Sequence, residues 1–221
     1  MKILPVLILS WLSISLFAQD QNSSLVQDPG AEPYLDNLAK LFSEESAFQV
    51  EFKYEIISKV NEAKVSDYGS VIVKGEKYKM KTEDTEVYFD GTTLWSYNVP
   101  AGEVYVSQPD SGSTGQTLTD PFTLIGNYKK YYKYRYKGEK IIAGKTYQEI
   151  DLYPADLDTN YSILRLLVYN GGKSIYSFTV QQKNGIDIRI LVTDVIRNLK
   201  INSQTFEWDE AAHPDVLVIE M

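Results

Sequence analysis

A chain of 221 residues with 30 acidic against 22 basic side chains, a net charge of −8, can bury the core of one domain and is too acidic to take a polyanion as its main partner. It has no cysteine. That excludes disulfides, thiol chemistry, cysteine-based metal sites and attachment through a lipid-modified cysteine.

Met1 to Ala18 holds one charge, Lys2, followed by a mostly apolar run from Ile3 to Phe17. The run is too short to span a bilayer and reads as a secretory signal cleaved after Ala18, so the mature chain is expected outside the cytoplasm. Its removal leaves 21 basic and 30 acidic residues and a net charge of −9. Residues 19–33 are polar, contain Asp28-Pro29-Gly30 and read as a flexible leader. A single domain is expected over 34–221. Tyr34, Leu35, Leu38, Leu41 and Phe42 recur at helical spacing and predict one amphipathic helix from about Ala31 to Glu45.

From Phe48 the period changes to two. Phe48, Val50, Phe52, Tyr54 and Ile56 alternate with polar residues, the mark of a half-buried antiparallel strand. Tyr68 to Lys74 and Lys77 to Thr82 continue the pattern, and a meander is the economical topology. Asp90-Gly91 lies between two β-branched and aromatic runs and predicts a hairpin. Trp95 and Tyr97 share a face of its second strand, where Val87 and Phe89 are expected to meet them. Gln108 to Thr119 reads as a mobile loop. Asp120-Pro121 offers an N-cap and first-turn proline to a short helix over Asp120 to Lys130, with Phe122, Leu124 and Ile125 as its apolar patch. Strands are expected at Tyr131 to Gly138, Lys145 to Tyr153, Ser162 to Asn170, Ser174 to Gln182, Ile186 to Ile196, Gln204 to Trp208 and Val216 to Glu220. The fold class is mainly β, a strongly curved antiparallel sheet or barrel with short helices on one face.

Catalytic signals are weak. His213, the one histidine, lies beside Pro214 and reads as a turn residue. Asp156 to Asn160 imitates a calcium loop, but Tyr161 and Leu167 stand where glycine and a bidentate glutamate belong. No metal, cofactor or enzyme activity is expected. Tyr128 to Lys137 interleaves tyrosines with basic residues, yet a strand sends Tyr132, Tyr134 and Tyr136 to one face and Lys133, Arg135 and Lys137 to the other. That separation argues against nucleic acid. The remaining feature is an inward face with Phe52, Tyr54, Tyr78, Met80, Phe89, Trp95, Tyr97, Phe178 and the Ile186, Ile188, Ile190 row. It is either a filled core or a pocket for a hydrophobic guest, and periodicity does not separate the two.

Phe89-Asp90-Gly91-Thr92-Thr93-Leu94-Trp95-Ser96-Tyr97-Asn98 resembles the DG-x-x-LW-x-Y signature of the LolA family of periplasmic lipoprotein carriers. Gly69 to Lys74 with Tyr78-Lys79-Met80, Asp120 to Ile125, and Phe206-Glu207-Trp208 through Val216 to Ile219 resemble that family's flanking segments in the same order. The resemblance implies an unclosed β-barrel lidded by helices. Its cavity would hold the acyl chains of lipoproteins passing from an inner-membrane ABC transporter to an outer-membrane acceptor. A monomer without nucleic acid partners is expected. The implied cavity and lid comprise Leu38, Leu41, Phe42, Phe52, Tyr54, Tyr78, Met80, Phe89, Trp95, Phe122, Leu124 and Ile125, with contacts sought first on Tyr78, Met80 and the lid. Many members carry Arg-Pro at the end of the second sheet segment, the arginine bonding lid carbonyls; this chain has Lys74-Gly75, so Lys74 is the latch candidate. The alternative reading is a module of the same fold for another lipid or apolar small molecule.

Overall fold

The computed structural model describes residues 27–43, 47–108, 125–169 and 171–221. The proposed signal segment, most of the 108–119 loop, and Asp120 to Leu124 lie outside them. Helix α1 (Glu32–Ser43) leads into β1 (Ala47–Ser58), β2 (Lys64–Lys74), β3 (Lys77–Thr82), β4 (Thr85–Phe89), β5 (Leu94–Asn98) and β6 (Glu103–Ser107). After a single turn of helix, α2 (Tyr128–Tyr131), come β7 (Tyr132–Ile142), β8 (Lys145–Pro154), β9 (Tyr161–Tyr169), β10 (Ile175–Gln182), β11 (Ile186–Leu199) and β12 (Leu217–Glu220).

These strands form one sheet in the order β12-β6-β5-β4-β3-β2-β1-β11-β10-β9-β8-β7, which does not close. Two antiparallel meanders meet where β1 pairs with β11, and β12 alone adds in parallel, Leu217 opposite Glu103. The alternation of each strand aims one face inward. Phe52, Val71, Tyr78, Val87, Ile150, Leu164 and Phe178 are buried there against one another. At this face α1 buries Leu35 and Leu38 completely, as its spacing requires, and Ala31 just before it is buried with them. The chain just before α1 is tied down: Asp28 donates its N–H to the Tyr134 carbonyl (3.1 Å) and accepts from the Tyr136 N–H (3.0 Å), covering part of the free edge of β7.

Two expectations change. The hairpin pairs Phe89 with Leu94, Tyr88 with Trp95, Val87 with Ser96 and Glu86 with Tyr97. Its connection has four residues, Asp90 to Thr93, with Gly91 at φ 97° and Asp90 Oδ1 accepting the N–H groups of Thr92 (2.8 Å) and Thr93 (2.7 Å). A connection with an even number of residues pairs odd positions with even ones. Trp95 and Tyr97 therefore sit with Tyr88 on the outer face, opposite Val87 and Phe89. The second change is at Gln204 to Trp208, which is no strand: Ser203–Phe206 forms a 3-10 turn. The free edge of β6 is taken by β12, and the segment lies on the outer face instead. There Trp208 meets Tyr88 (5.7 Å) and Tyr97 (5.0 Å) and stacks on His213 at 4.1 Å.

Candidate functional site: the apolar inner face under α1

The inner face is not sealed evenly. Phe52, Tyr78 and Phe89 are buried, whereas Tyr54 and Met80 from the first meander and Ile188, Ile190 and Val192 from β11 are half-buried and pack at the margin of the core. Register makes these a continuous patch, since Tyr54 stands opposite Ile190 and Phe52 opposite Val192. Leu94 joins it from β5.

The C-terminal half of α1 seats Leu38, Leu41 and Phe42 beside Phe48, Val50, Val192 and Val195 around a cavity of about 20 Å³. That holds about one water molecule. A larger guest requires this end of α1 to lift. Phe42 and Phe48 close the cavity with ring centroids 5.5 Å apart.

The N-terminal half of α1 is fastened by polar groups from strands and α2. The Tyr134 hydroxyl donates to Glu32 (2.8 Å), the Tyr128 hydroxyl donates to Asp36 (2.7 Å), and Lys129 pairs with Asp36 at 2.9 Å. Asn37 Nδ2 donates to the Gly171 carbonyl (3.1 Å), and Tyr34 stacks on Tyr136 with centroids 5.9 Å apart. The bond from Lys129, then that from Tyr128, holds the Asp36 carboxyl below its ordinary value, and burial followed by the bond to Glu32 pushes the Tyr134 hydroxyl up to about 12. A depressed carboxylate contributes stability that is present above its unfolded pKa, about 4, and is lost as pH falls through its lower folded value. A raised tyrosine contributes below about 10 and loses that contribution as pH rises to about 12. The clamp is thus intact at neutral pH. Asp36→Asn should loosen it by about 0.5–1 kcal/mol, the scale of an exposed ion pair. Hydrogen exchange checks this as faster amide exchange confined to α1, and the variant should lack the acid-side loosening expected of the parent below about pH 4.

Most sequence-predicted site residues come together here. Leu38, Leu41 and Phe42 line the small cavity, while Phe52, Tyr54, Tyr78, Met80 and Phe89 lie on the same inner face. Ile125 is wholly buried in that core, and Phe122 and Leu124 lie outside the described residues. Trp95 is a correction, because it faces the other side of the sheet. Lys74 is exposed and shares its face with Ile72, away from inward Val71 and Val73. It therefore points away from α1, and the fastenings of that helix come from Tyr128, Lys129 and Tyr134. Sequence reasoning misses Val192, Val195 and Ile175; period two from Ile188 and Ile190 reaches Val192, but register shifts in β11 and β10 put Val195 and Ile175 out of phase with the inward rows of their strands. Among the described residues no group of three or more His, Asp and Glu side chains is placed to hold a metal.

The comparisons with known proteins agree with this architecture. Residues 43–209 match the family model described as outer membrane lipoprotein carrier protein LolA. A comparison with curated protein sequences finds no match. Among solved structures, an uncharacterized conserved protein from Thermus thermophilus aligns with a TM-score of 0.55 at 10% identity, covering 87% of this chain and 99% of that one. A LolA superfamily protein from Nitrosomonas europaea gives 0.45 at 17% identity, covering 81% and 98%, and the Mycobacterium tuberculosis lipoprotein LppX gives 0.38 at 12%, covering 80% and 99%. The first of these shares the fold at negligible identity. With a family model matched over most of its length and a curved, unclosed sheet carrying a helix on its apolar face, the chain belongs to the LolA family.

Proposed function

We propose that the protein is a periplasmic carrier that takes the acyl chains of lipoproteins onto the inner face beneath α1. It receives them from an inner-membrane ABC transporter and delivers them to an outer-membrane acceptor. The observation that carries this reading is the half-buried apolar patch of Tyr54, Met80, Ile190 and Val192, which reaches α1 at Val192, where the end of that helix rests on a small cavity. Family membership supports the class of cargo. Each buried methylene is worth about 0.8 kcal/mol, so a sixteen-carbon chain exposed to water costs on the order of 12 kcal/mol. Release demands that the carrier recover only part of this, and aromatic rings with the adaptable Met80 make such a surface.

Native mass spectrometry of the protein isolated from its own envelope tests the proposal. Adducts of acylated protein are expected. Recovery of a free lipid alone would replace the lipoprotein cargo with another apolar ligand, and an adduct-free protein that takes up no apolar fluorophore would overturn the carrier reading.

A further inference from the structure

The opposite face of the sheet carries a second concavity, a cleft of about 470 Å³ running from β7 to β1. That is within the range of small-molecule sites. A register shift between Tyr136 and Gly138, with Gly138 at φ 107°, reverses the alternation of β7. Tyr132, Tyr134 and Tyr136 face the core before the bulge, and after it Lys140 and Ile142 join the outer face as one wall of the cleft.

One rung across this face reads Arg135, Asp151, Arg165, Thr179, Arg189, Glu55. Arg165 and Arg189 flank Thr179 and stand two strands apart, about 10 Å. Arg165 commits Nε and Nη2 to the buried Asp151 carboxylate (2.6 and 2.9 Å), which leaves Nη1 free of that pair and fixes the plane of its fork. Arg189 has a side chain 52% exposed and touches Glu55 at 3.4 Å. On the next rung Ser177 lies between Leu167 and Leu191, lines the cleft, is 6% exposed, and has no hydrogen-bond partner for its hydroxyl among the described residues. The hydroxyl is open to the cleft, where an occupant can accept from it.

We propose that this cleft binds a small phosphate monoester, its phosphate between Arg165 and Arg189 and within reach of the Thr179 and Ser177 hydroxyls, its carbon skeleton on Leu167 and Leu191. Two guanidinium groups and two hydroxyls supply more donors than the two oxygens of a carboxylate accept, and match the three oxygens of a phosphate ester. Glu55, Glu149 and Asp187 around the cleft repel a polyanion and restrict the site to a single charged group. The ester is either a soluble molecule or the headgroup of a phospholipid. The site lies on the other side of the sheet from the acyl-chain patch and does not depend on that reading.

Calorimetric titration of the full chain with glycerol 3-phosphate tests it, with sedimentation against phosphatidic acid and phosphatidylcholine vesicles as a second arm. Saturable binding is expected, weakened about tenfold or more by Arg189→Gln, which leaves Asp151 with its partner, and weakened also by Ser177→Ala. Uptake of an apolar fluorophore by the Arg189→Gln protein should be unchanged, showing the fold intact. Sedimentation with phosphatidic acid vesicles that glycerol 3-phosphate competes away assigns the headgroup source; soluble binding without sedimentation assigns a free ester. Absence of saturable binding by glycerol 3-phosphate and inorganic phosphate, or binding that Arg189→Gln leaves unchanged, would overturn the proposal.

Discussion

Glutamate in place of Ile190 is expected to weaken saturable uptake of an apolar fluorophore on the order of 100-fold and to remove acylated adducts from the purified protein. Ile190 stands between Tyr54 of β1 and Phe178 of β10 on the inner face and is half-buried, so its side chain is part of the surface a guest would cover. A carboxylate there denies shelter to about three methylenes of a bound chain, roughly 2.5 kcal/mol at about 0.8 each. Keeping the carboxylate hydrated also resists closure of the helix over it. Because the position is already half open to solvent, stability should fall by only about 1 kcal/mol, a Tm decrease of about 2–4 °C for a chain of this size. Arg189→Gln, one residue earlier and aimed at the outer cleft, is the control and should leave uptake intact. Equal losses from both substitutions would mean that the two faces of β11 do not serve separate surfaces, and the carrier site would have to be sought elsewhere.

Much of this division is legible in the sequence. Period two in Phe48 to Ile56 places β1 and its inward residues, and the Tyr132, Tyr134, Tyr136 alternation puts tyrosines inside and basic groups outside, as the sheet has them. The helical spacing from Tyr34 to Phe42 locates α1 and the face it buries. Trp95 departs from expectation for a reason the sequence itself contains. A hairpin whose connection has an even number of residues sends Phe89 and Leu94 to one face and Tyr88 and Trp95 to the other, whether that number is two or four. What no local pattern carries is contact between distant segments. Asp36 and Tyr128 are 92 positions apart, and the clamp they form exists only because α1 lies across the β7 end of the sheet. The outer cleft depends on a single inserted residue near Gly138 that reverses a strand's alternation, and on β11 crossing the chain to pair with β1. The Gln204 to Trp208 segment has strand-like residues, but β12 takes the β6 edge and the segment packs on the outer face instead, so tertiary competition overrides its propensity.

Gly69→Ala is expected to be the most destabilising of the small substitutions in the sheet, by about 3 kcal/mol. Gly69 pairs directly with Phe52 across β1 and β2, and Phe52 lays its ring over the glycine. A Cβ at position 69 would fall 2.7 Å from both Cε2 and Cζ of that ring and 2.9 Å from the Lys81 carbonyl oxygen of β3. Rotating the ring away relieves the first contact but opens the packing around Val192, which stands opposite Phe52 on the other side. The second contact is with backbone held in the β2–β3 ladder, where Gly69 pairs with Thr82 and Ser70 with Lys81, so it yields only if the strands separate. Thermal denaturation should show a Tm about 6–12 °C below the parent for a loss of this size. The double variant Gly69→Ala, Phe52→Leu should recover part of that loss and not all, since the smaller side chain clears the ring clash and leaves the Lys81 carbonyl in place. Full recovery would assign the whole requirement for glycine to the Phe52 ring. No recovery would assign it to the backbone alone, and Phe52 would then be an ordinary core residue and not the floor on which the apolar patch is laid.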